Sequence, residues 1–204
     1  MEVIVDNAAI AAPEDAADVM AVLADISESL QKQGRAILSV SADGQSLAPA
    51  QTAEILSGKS LDAVRRLEIV SEKTSKLVAD SLTELEAVIP DLATACHELA
   101  AVFHGTQPRL GYEPFHQLAN IWSHVKERQE LIAHTLGITL DSLALDGKTV
   151  GAWHTELNGF LSEAASAIES GDTILLGDLL EYEFAPRAET EVRITGLLRE
   201  KAGG

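Results

Sequence analysis

The spacing of apolar residues divides the chain into a first part of short strands and helices and a second part of long helices. Residues 3–5 are short and β-branched, which predicts a strand. Apolar residues spaced four, three and four apart between Val19 and Leu30 predict one face of a helix that begins near Pro13. Residues 36–41 predict a second strand, and the Asp43-Gly44 pair directly after it is typical of a tight turn.

Two further elements complete the predicted N-terminal region. A short helix is predicted from Pro49 to Leu56, because proline is favoured at the first helical position and Gly58 lies just past the end. Within residues 64–70, Leu67 and Ile69 alternate with Arg66 and Glu68, which is typical of a strand but leaves the start of the next helix as an alternative. We favour the strand, so residues 1–72 are expected to form a small α/β domain with the order βαβαβ.

The rest of the chain, residues 73–204, predicts helices. Apolar spacings of three and four run through residues 75–104, 112–136, 150–170 and 172–201. Proline removes a backbone donor, so Pro90 is expected to bend or break the first of these helices and Pro186 to kink the last. A polar connector is expected around Asp146-Gly147.

These four helices are expected to pair as two αα-hairpins. The hairpins span residues 75–136 and 149–201, and their turns share an aliphatic-x-x-Gly-x-x-x-x-Leu-Gly pattern at residues 102–111 and 168–177. Two packed hairpins make a four-helix bundle. The predicted fold class is therefore α+β and mostly α.

Composition narrows the classes of function. The chain has 32 Asp and Glu residues against 15 Lys and Arg, a formal net charge of −17, so it lacks the basic face that binding to nucleic acid or an anionic membrane needs. The sequence shows no apolar run of membrane-spanning length and no basic leader, so a cytoplasmic protein is expected. Cys96, the single cysteine, lies in an apolar helical stretch, which predicts a buried structural thiol.

One glutamate–histidine pair is a candidate metal site. Glu113 and His116 lie three residues apart, as do the ligand pairs of di-iron carboxylate bundles. His124 and Glu127 repeat the spacing in reverse order and extend the candidate set along the same helix. Such bundles use two Glu-x-x-His pairs and this chain has one, so solvated side chains are the competing interpretation. No cofactor apart from this metal is expected, and no enzyme motif is complete.

Residues 177–186 form the most distinctive segment, Gly-Asp-Leu-Leu-Glu-Tyr-Glu-Phe-Ala-Pro. The simplest interpretation is an amphipathic helix whose carboxylates lie in water. The alternative is an acidic and aromatic docking surface formed by Asp178, Glu181 and Tyr182. With the turn at residues 40–44, this segment resembles an uncharacterised bacterial family. The resemblance implies a small N-terminal α/β region joined to C-terminal helices that carry Leu-Leu-Glu-Tyr-Glu followed by proline, and it implies no activity.

These patterns favour a non-catalytic protein–protein interaction or structural protein, which binds another protein or itself as a homodimer. All eight aromatic residues lie between Phe103 and Phe184, and tyrosine and tryptophan are frequent anchors of interfaces. Tyr112, Trp122 and Trp153 are therefore further candidate contacts. Two alternatives stay open: a metal-binding helical bundle and, more weakly, a chaperone for a helical secreted or filament subunit.

Overall fold

The computed structural model describes residues 1–13 and 15–203. The chain divides into two compact units, Met1–Leu77 and Val78–Gly204, and a separate hydrophobic core lies in each. The first unit contains a small sheet, and the second is built mainly of helices. The predicted fold class, α+β and mostly α, is confirmed.

The first unit is a five-stranded sheet with two helices. Its strands in chain order are β1 (Glu2–Val5), β2 (Ala8–Ile10), β3 (Arg35–Ala42), β4 (Gln45–Leu47) and β5 (Arg66–Lys73). They lie in the order β2-β1-β5-β3-β4, with β1 parallel to β5 and the other neighbouring pairs antiparallel. The helices are α1 (Val19–Lys32) and α2 (Pro49–Leu56), and a 3-10 turn, Leu61–Ala63, precedes β5.

The sequence predicts three strands in this unit, and the structure has five. The additional strands, β2 and β4, have three residues each, too few to show a clear alternating pattern. Each follows a two-residue turn, at residues 6–7 and 43–44, in which both residues have positive φ. Such turns match the twist of paired strands and therefore close hairpins. Strand β5 confirms the strand interpretation of residues 64–70.

Helix α1 begins later than the sequence predicts. The Asp18 carboxylate accepts a hydrogen bond from the backbone N–H of Ala21 at 2.8 Å, which caps the helix at Val19 rather than near Pro13. Residue 14 of the predicted first turn lies outside the described residues. The apolar face that begins at Val19 is buried at both ends of the helix, which agrees with the predicted spacing.

The second unit contains long helices. They are α3 (Thr74–Phe103, the first turn of which belongs to the first unit), α4 (Tyr112–Thr135), α5 (Val150–Ser170), α6 (Thr173–Leu179) and α7 (Ala185–Ala202). A π-helical turn, Leu180–Phe184, joins α6 to α7 in one continuous helical segment. Helix α3 runs on past Pro90, so this proline does not break it.

Short elements form the connections of the second unit. A 3-10 turn, Pro108–Gly111, precedes α4, and a second, Leu140–Ser142, leads into a hairpin of β6 (Ala144–Leu145) and β7 (Lys148–Thr149). The hairpin turn at Asp146-Gly147 has positive φ at both residues, so the expected polar connector contains two paired strands. Gly171 has φ 71° and ends α5, as its position in the sequence predicts.

Aromatic rings lie in the core of the second unit. Trp122 on α4 and Phe184 in the π-helical turn have ring centroids 5.9 Å apart, and Phe160 on α5 lies 6.1 Å from Phe184. Both Trp122 and Phe184 are about 1% exposed. These contacts hold the π-helical turn against α4 and α5.

Candidate functional site

Four side chains on α6 and the π-helical turn, three of them exposed and one half-buried, form a candidate site, which we call the acidic–aromatic face. They are Ile174, Asp178, Glu181 and Tyr182, at spacings of four, three and one that keep them on one side of a helix. Ile174 is 67% exposed and Tyr182 is 64% exposed. Large apolar side chains this open to water on one helical face are typical of interaction sites when they lie together.

The π-helical turn places part of this face. Leu180 and Phe184 are buried at its two ends, so the residues between them are held toward solvent. Pro186 lies two residues after this turn and lacks the N–H that an α-helix would pair with the carbonyl of Tyr182. The irregularity expected at Pro186 therefore takes the form of a wide turn just before it. Such turns occur frequently at functional sites.

His104, at the C-terminal end of α3, contacts both carboxylates of the face. Its Nε2 lies 3.2 Å from Oδ1 of Asp178, and its Nδ1 lies 4.0 Å from Oε2 of Glu181. Gly177 makes this approach possible, because a Cβ atom at that position would overlap the imidazole ring. The sequence does not single out His104 for this role, since 74 residues separate it from Asp178.

The aromatic candidates from the sequence divide into buried and exposed residues. Trp122 is buried in the core, and half-buried Tyr112 packs against Phe103 with ring centroids 5.7 Å apart. Half-buried Trp153 donates its indole N–H to the carbonyl of Leu145 at 3.1 Å. Tyr182 is left as the exposed aromatic residue of the candidate set.

The four candidate metal ligands lie on the solvent side of α4. Glu113, His116, His124 and Glu127 are all exposed, and Glu113 accepts a hydrogen bond from Gln117 at 3.2 Å. A rise of 1.5 Å per residue puts the two pairs about 16 Å apart along the helix, too far to share one ion. Among the described residues, no three His, Cys, Asp or Glu side chains are placed to hold a metal.

Metal binding by these residues stays a prediction. The two pairs would each offer two ligands from one helix, and a bound ion would take its other ligands from water. Elemental analysis of protein purified without added metal tests the prediction directly. Stoichiometric zinc, iron or manganese would support it.

A cluster of polar side chains that the sequence does not predict lies inside the second unit. We call it the buried polar network, and its members are Gln129 on α4, His154 on α5 and three residues of α7: Arg187, Glu191 and Thr195. None of the five is more than 3% exposed. Buried polar groups are costly unless they are paired, so the contacts within this network determine what it contributes to stability.

Arg187 and Glu191 form an ion pair at the centre of the network. The Arg187 Nε donates to Oε1 of Glu191 at 2.7 Å, and its Nη1 lies 3.6 Å from Oε2 of Glu156. The guanidinium carbon lies 4.9 Å from the ring centroid of Trp153. Both terminal nitrogens of Arg187 and Oε2 of Glu191 lack a hydrogen-bond partner among the described residues. The pair is therefore enclosed but incompletely satisfied.

His154 on α5 contacts two residues of α4. Its Nε2 lies 2.9 Å from Oε1 of Gln129, and its Nδ1 lies 3.3 Å from Oε1 of Glu130. The Gln129 amide in turn donates to the hydroxyl of Thr195 at 3.2 Å. Burial lowers the pKa of His154, an effect that the nearby Glu191 carboxylate partly opposes. The network thus joins α4, α5 and α7 through side-chain hydrogen bonds.

One signal in the sequence points to the network. Arg187, Glu191 and Thr195 lie four residues apart, which places them on one face of α7 beside the buried apolar residues of that helix. Charged residues are seldom fully buried, so this spacing is usually interpreted as a solvated stripe. The buried position of Cys96 does follow the sequence prediction, and burial raises the pKa of its thiol to about 12.

A family model matches more than half of the chain, over residues 80–190. Its description is Domain of unknown function (DUF8042), and the matched residues include the whole acidic–aromatic face. No curated protein and no solved structure matches the chain. No helix among the described residues has both the length and the apolar character to cross a membrane. The sequence expectation of an uncharacterised family is confirmed: the chain belongs to the DUF8042 family.

Proposed function

We propose that this protein is a non-catalytic interaction protein that docks a partner on the acidic–aromatic face. The observation that carries the proposal is the exposure of Ile174 and Tyr182 on one helical face with carboxylates between them. Tyrosine is enriched among the residues that contribute most to binding, because it supplies a large contact area with few rotatable bonds. We also propose that the protein acts in the bacterial cytoplasm, as the sequence leads us to expect.

The charge around this face favours a basic partner. Residues 172–186 contain four acidic residues, Asp172, Asp178, Glu181 and Glu183, and no lysine or arginine. A segment that carries lysine or arginine around an apolar side chain would complement this surface and be steered toward it. A second copy of the chain would instead bring like charges together in a symmetric contact. We therefore propose a different protein as the partner, with a homodimer as the competing outcome.

The buried polar network supports the face indirectly. It joins α7 to α4 and α5, and α7 continues directly from the π-helical turn that carries Tyr182. A rigid mounting reduces the conformational entropy that side chains of the face lose on binding. We propose that the network has this structural role rather than a catalytic one.

Affinity capture with matched variants tests the proposal. The experiment uses three baits at low ionic strength: the wild-type protein, the double variant Ile174→Ser/Tyr182→Ser and the control Leu131→Ser. Quantitative mass spectrometry measures the proteins that each bait retains. Leu131 is a suitable control because it is 64% exposed but lies on α4, outside the face. The partner should be retained by the wild type and the control and depleted about tenfold or more by the double variant.

Two results would contradict this proposal. Identical sets of bound proteins for all three baits would show that the face holds no partner. Concentration-dependent dimerisation of the wild type that the double variant abolishes would identify a second copy as the occupant. Sedimentation equilibrium on the purified proteins separates this second result from binding to a different protein.

A further inference from the structure

A groove lies between α4 and α5 in the second unit, separate from the acidic–aromatic face. Its volume is about 370 Å³, and its lining runs from Phe115 to Ser123 on α4 and from Leu161 to Glu169 on α5. Binding sites for small molecules commonly measure roughly 300–1,000 Å³ and combine an apolar lining with a few polar groups. The groove meets both conditions.

The apolar part of the lining leaves space because it includes small residues. Ala119 on α4 and Ala165 on α5 both border the groove, where larger side chains would occupy the gap between the helices. Phe115 is buried beneath it, and Leu161 and Ile168 are half-buried. This surface can accept an apolar group of modest size.

The polar part of the lining has unused hydrogen-bonding capacity. His116, Asn120, Ser123 and Glu169 all line the groove, and none makes a side-chain hydrogen bond or ion pair within the described part of the chain. Elsewhere on the surface of α4, Lys126 donates to Asn158 on α5 at 3.0 Å. Outside the groove, polar side chains of α4 and α5 thus pair with each other directly. Inside the groove, the polar side chains are open to solvent or to a ligand.

The charges restrict what the groove accepts. Glu169 supplies a carboxylate, and no lysine or arginine is among the residues that line the groove. An anionic ligand would meet repulsion without compensation, whereas an ammonium group would form a charge-assisted hydrogen bond. The imidazole of His116, the amide of Asn120 and the hydroxyl of Ser123 offer both donors and acceptors to a second polar group.

We propose that this groove binds a small amphipathic amine, with its apolar body between Ala119 and Ala165 and its ammonium group at Glu169. This site goes beyond the docking function, because none of its lining residues belongs to the acidic–aromatic face. A ligand bound there would contact α4 and α5 together.

Three probes of matched size test the proposal: 3-phenylpropylamine, 3-phenylpropanol and 3-phenylpropionate. Calorimetry and two-dimensional NMR titrations measure their binding to the full chain. The amine should bind about fivefold more tightly than the alcohol, which is the upper range for an ion pair open to solvent, and the carboxylate should bind least. The shifted amide signals should come from residues 115–123 and 161–169.

Paired substitutions on α5 locate the binding. Glu169→Gln should remove the preference for the amine over the alcohol, whereas Glu163→Gln, at an exposed position outside the groove, should keep it. Ala165→Leu should fill the groove and weaken binding of all three probes, whereas Ala152→Leu, also exposed on α5, should leave binding unchanged.

The proposal is overturned if 3-phenylpropylamine shows no saturable binding in the millimolar range. Equal affinity for the amine and the carboxylate would refute the role of Glu169. Binding that persists unchanged in Ala165→Leu would place the probe elsewhere. Circular dichroism spectra of all four variants confirm that each is folded before its affinity is compared.

Discussion

Removing the positive charge of Arg187 should destabilise the second unit far more than removing a surface arginine. The Arg187 side chain is 2% exposed, and that of its partner Glu191 is fully buried. In Arg187→Met the carboxylate of Glu191 would stay in the core without its nearest counter-charge. Breaking a buried ion pair in this way costs about 3–5 kcal/mol. Methionine keeps much of the side-chain volume, so the loss arises mainly from charge rather than from a cavity.

A double substitution separates charge from packing. Arg187→Met/Glu191→Met removes both charges, and well-packed apolar replacements of buried ion pairs are often neutral or stabilising. We expect the double variant to regain most of the stability that Arg187→Met loses. Arg193→Met is the control on the same helix: Arg193 pairs with Asp146, but both side chains are about half exposed, so the loss should be much smaller.

Urea unfolding followed by tryptophan fluorescence measures these differences. Both tryptophans, Trp122 and Trp153, belong to the second unit, so the signal reports on that unit alone. The reasoning is refuted if Arg187→Met loses no more stability than Arg193→Met. It is also refuted if the double variant is as unstable as Arg187→Met, because the loss would then come from packing.

Three further predictions concern single positions in the second unit. Gly111→Ala should lower the free energy of unfolding by about 1–3 kcal/mol, because its Cβ would lie 2.8 Å from Cζ of buried Phe103, whereas the Cβ of Gly159→Ala would enter open space and raise it by about 0.5–1 kcal/mol. Equal urea midpoints for the two variants would contradict this prediction. Burial lowers the pKa of His154, so the folded state binds fewer protons than the unfolded state, and the free energy of unfolding should fall as the pH drops below 6.5. His154→Gln should flatten this pH dependence, and an unchanged slope would refute the reasoning. The Cys96 thiol is buried and its pKa is raised to about 12, so it should react with Ellman's reagent at pH 8 only when urea unfolds the protein. Fast reaction of the native protein would contradict this, because it would show that the thiol is accessible.

Helical periodicity predicts the long helices of this chain well. The apolar residues at these spacings on α4, such as Phe115, Leu118 and Val125, are buried. Helices α3 and α4 each bury a stripe at spacings of three and four, so the local sequence contains this information. The edge strands β2 and β4 show the limit of this approach: they have three residues each, and their pairing depends on turns whose geometry outweighs any alternating pattern.

The site residues follow from the sequence only in part. Asp178, Glu181 and Tyr182 are recognisable because they adjoin an apolar helical stripe. The contacts of the two carboxylates with His104 depend on where α3 ends relative to α6. The buried polar network is harder to predict, since Arg187 and Glu191 follow the spacing of an ordinary surface pair. What places them inside is the packing of α7 against α4 and α5, which local patterns do not encode.

Site-specific photo-crosslinking in living cells tests the docking function most directly. Tyr182 is replaced by the photoreactive residue p-benzoylphenylalanine, and the same replacement at Leu131 on α4 is the control, because both positions are 64% exposed. The account predicts a discrete crosslinked species of a second protein from position 182 and none from position 131. The same products from both positions, or none from position 182, would contradict it.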